Sequence, residues 1–244
     1  NAMDNGVELE RNFEVEEIKD RGEYYEIFSK SETAIECKSI CAHYMINAAG
    51  LYADEIASMV GDNSFQIHAS RGEYILLDKE CGNMVTHTIF RTPTKMGKGI
   101  LVSPTVDGNL LLGPTSVDML EKENHATTME GFAEIIKQAK ENVNGIPFRK
   151  QITSFCGLRA VGNKEDFIIS FGKSRFLNVA GIESPGLSAS PAIAEYVVAI
   201  LKEQGLSLEK KTDYSPVRKS MHWFQELSIE EKNEIIRQNH SFGK

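Results

Sequence analysis

The sequence predicts a mixed fold. An α/β layer of strands and helices is interrupted along the chain, and an α+β lobe built on antiparallel sheet is inserted into it. Three observations carry this. An apolar strand run, Tyr44-Met45-Ile46-Asn47-Ala48, passes through small residues into a helical pattern. Far downstream, Arg175-Phe176-Leu177-Asn178-Val179-Ala180 passes through Gly181-Ile182-Glu183-Ser184-Pro185-Gly186-Leu187-Ser188 into an apolar helical pattern. Between the two lies a long β-rich segment with a strong hairpin signal. The division this predicts is 4–64 with 151–205 for the interrupted layer, 65–150 for the inserted lobe, and 206–244 for an extension ending in a helix.

Taken in order, residues 7–47 alternate as an antiparallel meander would. Phe13, Val15 and Glu17 share a face, and Tyr24–Phe28 and Thr33–Cys37 are short β-rich runs separated by polar turns. Over 52–60 the spacing is helical: Ile56, Met59 and Val60 share a face, Asp54 and Glu55 suit the first turn, and Gly61 suits the stop. Gly72–Asp78 is a strong strand, with Arg71 expected at an edge as a surface charge. Ile100–Val102 and Leu110–Leu112 flank Val106-Asp107-Gly108-Asn109, a hairpin turn. Residues 127–143 place Met129, Phe132, Ile135, Ile136 and Ala139 at core spacing on a helix. Strand character returns over 151–171. Ser190-Pro191 is expected to open the next helix, with Ile193, Val197, Ile200 and Leu201 on its inner face. Ser228-Ile229-Glu230-Glu231 is a capping box opening a last helix of about ten residues.

The 244 residues, 41% of them hydrophobic, suffice for a sizeable core. A net charge of −8 argues against a nucleic-acid or anionic-membrane partner. No apolar run approaches a membrane span, and no signal peptide is visible, so the expected location is cytoplasmic. Asn1-Ala2-Met3 reads as a remnant of an expression tag before a chosen methionine, which suggests a piece of something longer. Cys37, Cys41, Cys81 and Cys156 lack convincing zinc spacing and read as buried, reduced thiols; no metal site is expected.

The chemistry-bearing residues are few. The small residues of 181–188 let a backbone approach a ligand, and the helix behind them favours negative charge at its N-terminus. A reduced flavin gathers such charge near N1 and its C2 carbonyl. An ordinary strand-to-helix connection has the same composition. Ala48, Ala49 and Gly50 could let a cofactor pass over the backbone or let a helix pack tightly. Arg159, in the apolar run Gly157-Leu158-Arg159-Ala160, needs an anionic partner: a substrate anchor or a structural ion pair fits equally. Tyr74 could donate to a substrate or simply pack. His68 and His87 could accept a proton, but nothing in their spacing singles them out.

Five stretches in this order resemble the FAD-dependent oxidoreductases of the D-amino-acid-oxidase superfamily, in its glycerol-3-phosphate dehydrogenase-like and L-2-hydroxyglutarate oxidase-like branch. They are Ile46–Asp54, Arg71–Asp78, Gly99–Thr105 with Gly108–Thr115, Gly157–Arg159 and Gly181–Ser188. The resemblance implies a partial FAD/NAD(P)-binding domain with an inserted substrate domain whose sheet covers the flavin. It implies FAD contacts from Ala48, Ala49, Gly50, Glu183, Ser184, Gly186, Leu187 and Ser188. It implies that Arg159 and Tyr74 face a small anionic substrate, whose C–H beside a hydroxyl or amine is oxidised by hydride transfer to FAD. An iron–sulfur module is implied for fuller members of the branch.

The Gly-x-Gly-x-x-Gly turn that cradles the ADP half of FAD is absent from the sequence. The expectation is therefore a core fragment of a flavoenzyme, holding FAD weakly and inactive by itself, whose parent oxidises glycerol 3-phosphate or a 2-hydroxy acid. An amine or amino-acid oxidase of the same superfamily, or a non-enzymatic binding module on this fold, are the alternatives. The residues name no general base.

Overall fold

A computed structural model describes residues 1–30, 38–92, 99–217 and 224–243. It divides into two compact units, Phe13–Leu206 and Asn1–Asn12 with Ser207–Lys244. Residues 4–12 thus belong with the C-terminal extension. In that smaller unit, helix Ile229–Gln238 opens on the expected capping box, with Ser228 and Glu231 each accepting from the other's backbone N–H.

The larger unit holds three sheets. The first is the predicted meander: β1 (Val15–Asp20), β2 (Tyr25–Ser29) and β3 (Ser39–Ala42) are antiparallel neighbours. The run Thr33–Cys37 lies outside the described residues. Cys41, expected to be buried, is exposed on β3, whereas Cys81 is buried as expected.

The second sheet contains β4 (Met45–Asn47), β10 (Ile168–Lys173) and β11 (Phe176–Ala180), in the order β10-β11-β4. Its β10–β11 pair is antiparallel and its β11–β4 pair parallel. The helix after β4, α1 (Ala53–Met59), buries Ala53 and Ala57 and ends at Gly61, whose φ is +78°. The helix after β11, α3 (Gly186–Glu203), buries Val197 and Leu201 against Leu177.

The expected start of α3 at Ser190-Pro191 is incorrect: the helix begins four residues earlier, and Pro191 lies inside it. Proline at this point has no N–H to offer the Leu187 carbonyl. The Ser190 hydroxyl donates to that carbonyl instead, at 2.8 Å, which lets the helix run through.

The third sheet carries the inserted lobe. β5 (Ile67–Leu77) pairs antiparallel with β7 (Leu110–Gly113) and β8 (Val117–Met119) along one edge. Along its other edge it pairs with β9 (Gln151–Gly162), and β6 (Leu101–Pro104) completes the predicted hairpin with β7. The sheet of the 65–150 segment therefore takes one of its strands from beyond residue 150. β5 is long enough to reach two cores: Ile67 joins the cluster around α1, and Ile75 and Leu77 join the cluster around α2 (Met129–Asn142).

The start of α2 explains a second correction. Arg71 is not an exposed edge charge but is 8% exposed, with Nε 3.1 Å from Glu73 Oε1. Glu73 in turn accepts from the N–H and hydroxyl of Thr128, both at 2.8 Å. A carboxylate at a helix N-terminus is stabilised by the open N–H groups there, and the buried guanidinium balances its charge. Gly131 permits this approach, since a Cβ would sit 2.5 Å from the Glu73 carboxylate. Met129 stands in the first turn and is 77% exposed, not part of the core.

A buried polar chain ties the second sheet to α1. Asn47 Nδ2 donates to Asn178 Oδ1 at 2.9 Å and to the Ala53 carbonyl at 2.7 Å. Asn178 Nδ2 donates to Asp62 Oδ2 at 2.8 Å, and Asp62 Oδ1 accepts from Ser64 N–H at 3.0 Å. Burial pushes the Asp62 carboxyl up, but the hydrogen bonds from Ser64 and Asn178 outweigh it and hold the group below its ordinary 3.8. Its contribution to stability is present above that value and is lost as pH falls through the lowered one. Asn178→Ala leaves Asn47 and Asp62 short of partners and is expected to cost about 1–3 kcal/mol in urea denaturation at pH 7. A change within experimental error would mean that this network does not hold the sheet together.

Candidate functional site

β4 and β11 run side by side in the same direction, with Asn47 opposite Asn178. The chain therefore leaves both strands at the same end. In open α/β sheets this end, beyond the carboxyl termini of the strands, is where ligands bind. The two turns singled out from the sequence, Ala48–Gly50 and 181–188, both start there.

Ala48, Ala49 and Gly50 are all exposed, and Gly50 has a φ of +58°, which a side chain would strain. The turn they open, Gly50–Tyr52, packs against β5 and β9. On the other side, Gly181 (φ +62°) lies against the end of β9: a Cβ on it would be 3.4 Å from Gly162 Cα. The second sheet and the inserted lobe thus meet at these turns.

Glu183, Ser184, Leu187 and Ser188 are exposed along the loop and the first turn of α3, and Gly186 is buried. The Gly186 N–H donates to the Glu183 carbonyl and the Ala189 N–H to the Pro185 carbonyl. Among the described residues, the N–H groups of Leu187 and Ser188 have no partner. The Ser188 hydroxyl turns back to the Pro185 carbonyl at 2.9 Å. Two open donors at the start of an 18-residue helix favour an electron-rich group.

Arg159 comes from β9, about 10 Å along the strand from Gly162. Residues opposite one another on antiparallel strands share a face, so β5 and β9 present one row: Tyr74 with Phe155, Gly72 with Gly157, Ser70 with Arg159, His68 with Val161. The Tyr74 and Phe155 rings stack at 5.1 Å, and the Tyr74 hydroxyl has no partner among the described residues. The two glycines leave a low floor between this aromatic pair and the guanidinium. A Cβ on Gly157 would meet nothing within 4 Å, whereas one on Gly72 would lie 2.8 Å from Arg159 Nη2. Gly72 is what lets Arg159 lie across the sheet and donate to the Thr115 carbonyl at 2.7 Å.

The Thr115 carbonyl is neutral, and among the described residues Arg159 makes no ion pair. Of the two readings of Arg159, a structural ion pair finds no carboxylate here. His68 Nε2 lies 3.6 Å from Asp118 Oδ1 at the end of the row, and exposed His87 sits beside Thr86. Among the described residues, no group of three or more His, Cys, Asp or Glu side chains could hold a metal ion, and no helix is long and apolar enough to cross a membrane. Sequence reasoning missed the Gly72–Gly157 floor and the Thr115 carbonyl. A glycine inside a strand pattern is a signal of close approach, and it was available at both positions.

Comparison with known proteins bears on the family and the fold. Residues 1–200 match the family model described as FAD dependent oxidoreductase. A glycerol 3-phosphate dehydrogenase of Caloramator mitchellensis is 44% identical over 100% of this chain and 50% of its own length. A glycerol 3-phosphate oxidase of Mycoplasma genitalium is 33% identical over 88% of this chain and 56% of its own length. A dithionite-reduced L-alpha-glycerophosphate oxidase of Mycoplasma pneumoniae with FAD bound matches the fold with a TM-score of 0.76 and 32% identity, over 87% of this chain and 55% of that one. The chain thus spans about half the length of the curated relatives it matches.

Two glycines give a direct check on the local geometry. A Cβ on Gly186 would sit 2.4 Å from Ile182 Cγ2, so Gly186→Ala is expected to cost about 1–3 kcal/mol in thermal or urea denaturation. Gly157→Ala faces open space and should stay within about 0.5 kcal/mol of the parent. Equal costs would mean that the 181–188 turn is folded differently.

Proposed function

The chain belongs to the family of FAD-dependent oxidoreductases, and on that premise we propose that it forms the ring-binding and substrate-binding part of a flavoenzyme oxidising a small anionic hydroxy compound. Glycerol 3-phosphate is the first choice, because the matching relatives are named for it; a 2-hydroxy acid has the same chemistry at its anionic end. The observation that carries the reading is Arg159, a half-buried cation with only a neutral carbonyl for company, on a glycine-floored face beside the end of two parallel strands.

The residues present fit the ring end of FAD. Leu187 and Ser188 offer unpartnered N–H groups for its electron-rich edge, and Ala48, Ala49 and Gly50 have no bulk to keep it away. Glu183 and Ser184 would form the rim, and Gly186 keeps the turn tight. When bound, FAD accepts the hydride removed from the substrate. Arg159 would hold the phosphate or carboxylate with charge-assisted hydrogen bonds while keeping Thr115 as its support. Tyr74 would offer its hydroxyl to the substrate, and its stack with Phe155 would wall the face against water. The ADP half of the cofactor finds no glycine-rich cradle in this sequence, so we assign the chain alone weak FAD binding and no turnover.

In the FAD-loaded enzyme, Arg159→Ala should raise KM for glycerol 3-phosphate by at least about 30-fold, the scale of losing hydrogen bonds to a charged group. The flavin absorbance should be unchanged, and Arg159→Lys should recover part of the loss. Unchanged kinetics would remove Arg159 from the site. Flavin bleaching by amines or amino acids in place of hydroxy compounds would move the enzyme to the amine-oxidising side of the superfamily.

A further inference from the structure

Five glycines lie in the described strands, and the chain itself accounts for four of them. A Cβ on Gly72, Gly113, Gly162 or Gly172 would stand 2.8, 2.7, 3.0 or 2.0 Å from the nearest protein atom. Gly157 is different. It is exposed, its φ lies outside the left-handed region, and among the described residues a Cβ there would meet nothing within 4 Å. Glycine inside a strand weakens it, because its backbone loses more freedom on folding and it has no side chain to pack. The packing of the described residues therefore gives no reason for glycine at 157. A strand glycine of this kind marks a place where a ligand or another backbone comes close.

Arg159 indicates which ligand. It stands opposite Ser70, yet its Nη2 would lie 2.8 Å from a Cβ on Gly72. The side chain thus leans toward the Gly157 end of the row and away from Val161. Gly72 and Gly157 are direct cross-strand partners, about 5 Å apart. One of the guanidinium nitrogens is taken by the Thr115 carbonyl. An anion that meets the other donors is within reach of the bare backbone at Gly157.

We propose that Gly157 is a specificity-determining residue of this site. The depth it leaves beside Arg159 admits a tetrahedral phosphate, whereas a side chain at 157 would restrict the site to flatter carboxylates. The inference rests on the reading of Arg159 given above and deepens it toward phosphate esters. A carboxylate is planar and can meet a guanidinium edge to edge. A phosphate monoester held by two of its oxygens keeps its third oxygen and its ester oxygen on either side of that plane. It needs depth as well as width, and on this face a missing Cβ supplies it. Gly72 has another task, since its Cβ would displace the guanidinium itself.

The test compares Gly157→Ala and Gly157→Val with the parent in the FAD-loaded enzyme. Inorganic phosphate and acetate are titrated by calorimetry, and KM is measured with glycerol 3-phosphate and with lactate. Gly157→Ala should weaken phosphate by about tenfold or more, the scale of overpacking a filled site, and valine should weaken it further. Acetate should stay within about twofold of the parent. KM for glycerol 3-phosphate should rise in step with the phosphate dissociation constant, while KM for lactate, the unfolding midpoint and the flavin absorbance hold. Alanine, the smaller change, decides if valine destabilises the protein. Unchanged phosphate binding, or equal losses for phosphate and acetate, would overturn the proposal. Loss of FAD or a shifted flavin spectrum in the alanine variant would put the ring, not the anion, over Gly157 and overturn it as well. Selective loss of phosphate in an enzyme whose flavin is bleached by neither hydroxy compound would end the proposed reaction and keep the Gly157 filter.

Discussion

A single buried amide pair sets the register on which the site depends. Asn47 and Asn178 face each other across two parallel strands and are 3% and 0% exposed. Buried amides with no partner are costly, so the pair, together with Asp62 and the Ala53 carbonyl, tolerates little sliding of β4 against β11. A slip of β4 by one residue would point Asn47 into the opposite, apolar layer and strand Asn178 without its amide partner. Held in register, the strands deliver Ala48–Gly50 and the 181–188 turn to one end of the sheet. Apolar packing alone would fix these strands less tightly, because Ile46, Leu177 and Val179 could interchange positions at small cost.

The second constraint is electrostatic. A guanidinium drawn partly out of water needs compensation, and the molecule as described gives Arg159 one carbonyl dipole. Arg71, on the adjacent strand β5 and the opposite face, shows the contrasting solution: it is buried against Glu73, which is itself anchored by Thr128 and the start of α2. One arginine is closed off by its own chain, whereas the other makes no ion pair among the described residues, which is what the proposed anion anchor requires. The same sheet keeps the two apart because alternate residues of β5 and β9 point to opposite faces.

Much of this was legible in the sequence. The strand runs ending in Asn47-Ala48-Ala49-Gly50 and Ala180-Gly181 mark both turns, and Asp107-Gly108 marks the hairpin, because small residues and turn chemistry act locally. The start of α3 was misplaced because a serine–proline pair usually opens a helix; here the Ser190 hydroxyl satisfies the carbonyl that proline leaves unpaired, a contact that composition does not reveal. Arg71 was misjudged because its partner Glu73 makes sense only once Thr128, 55 residues on in sequence from Glu73, is brought beneath it. Pairing of β5 with β9 across nearly ninety residues is likewise a tertiary event, and with it came the Gly72–Gly157 floor that no single stretch displays.

The crevice is tested most directly by nuclear magnetic resonance of the FAD-loaded enzyme, comparing backbone amide shifts before and after reduction with dithionite. If one flavin ring lies between the two turns, Leu187 and Ser188 should move most and Ala49 and Gly50 should move with them, since added charge on the ring polarises the donors that face it. Large shifts elsewhere, with these four amides still, would contradict a shared crevice.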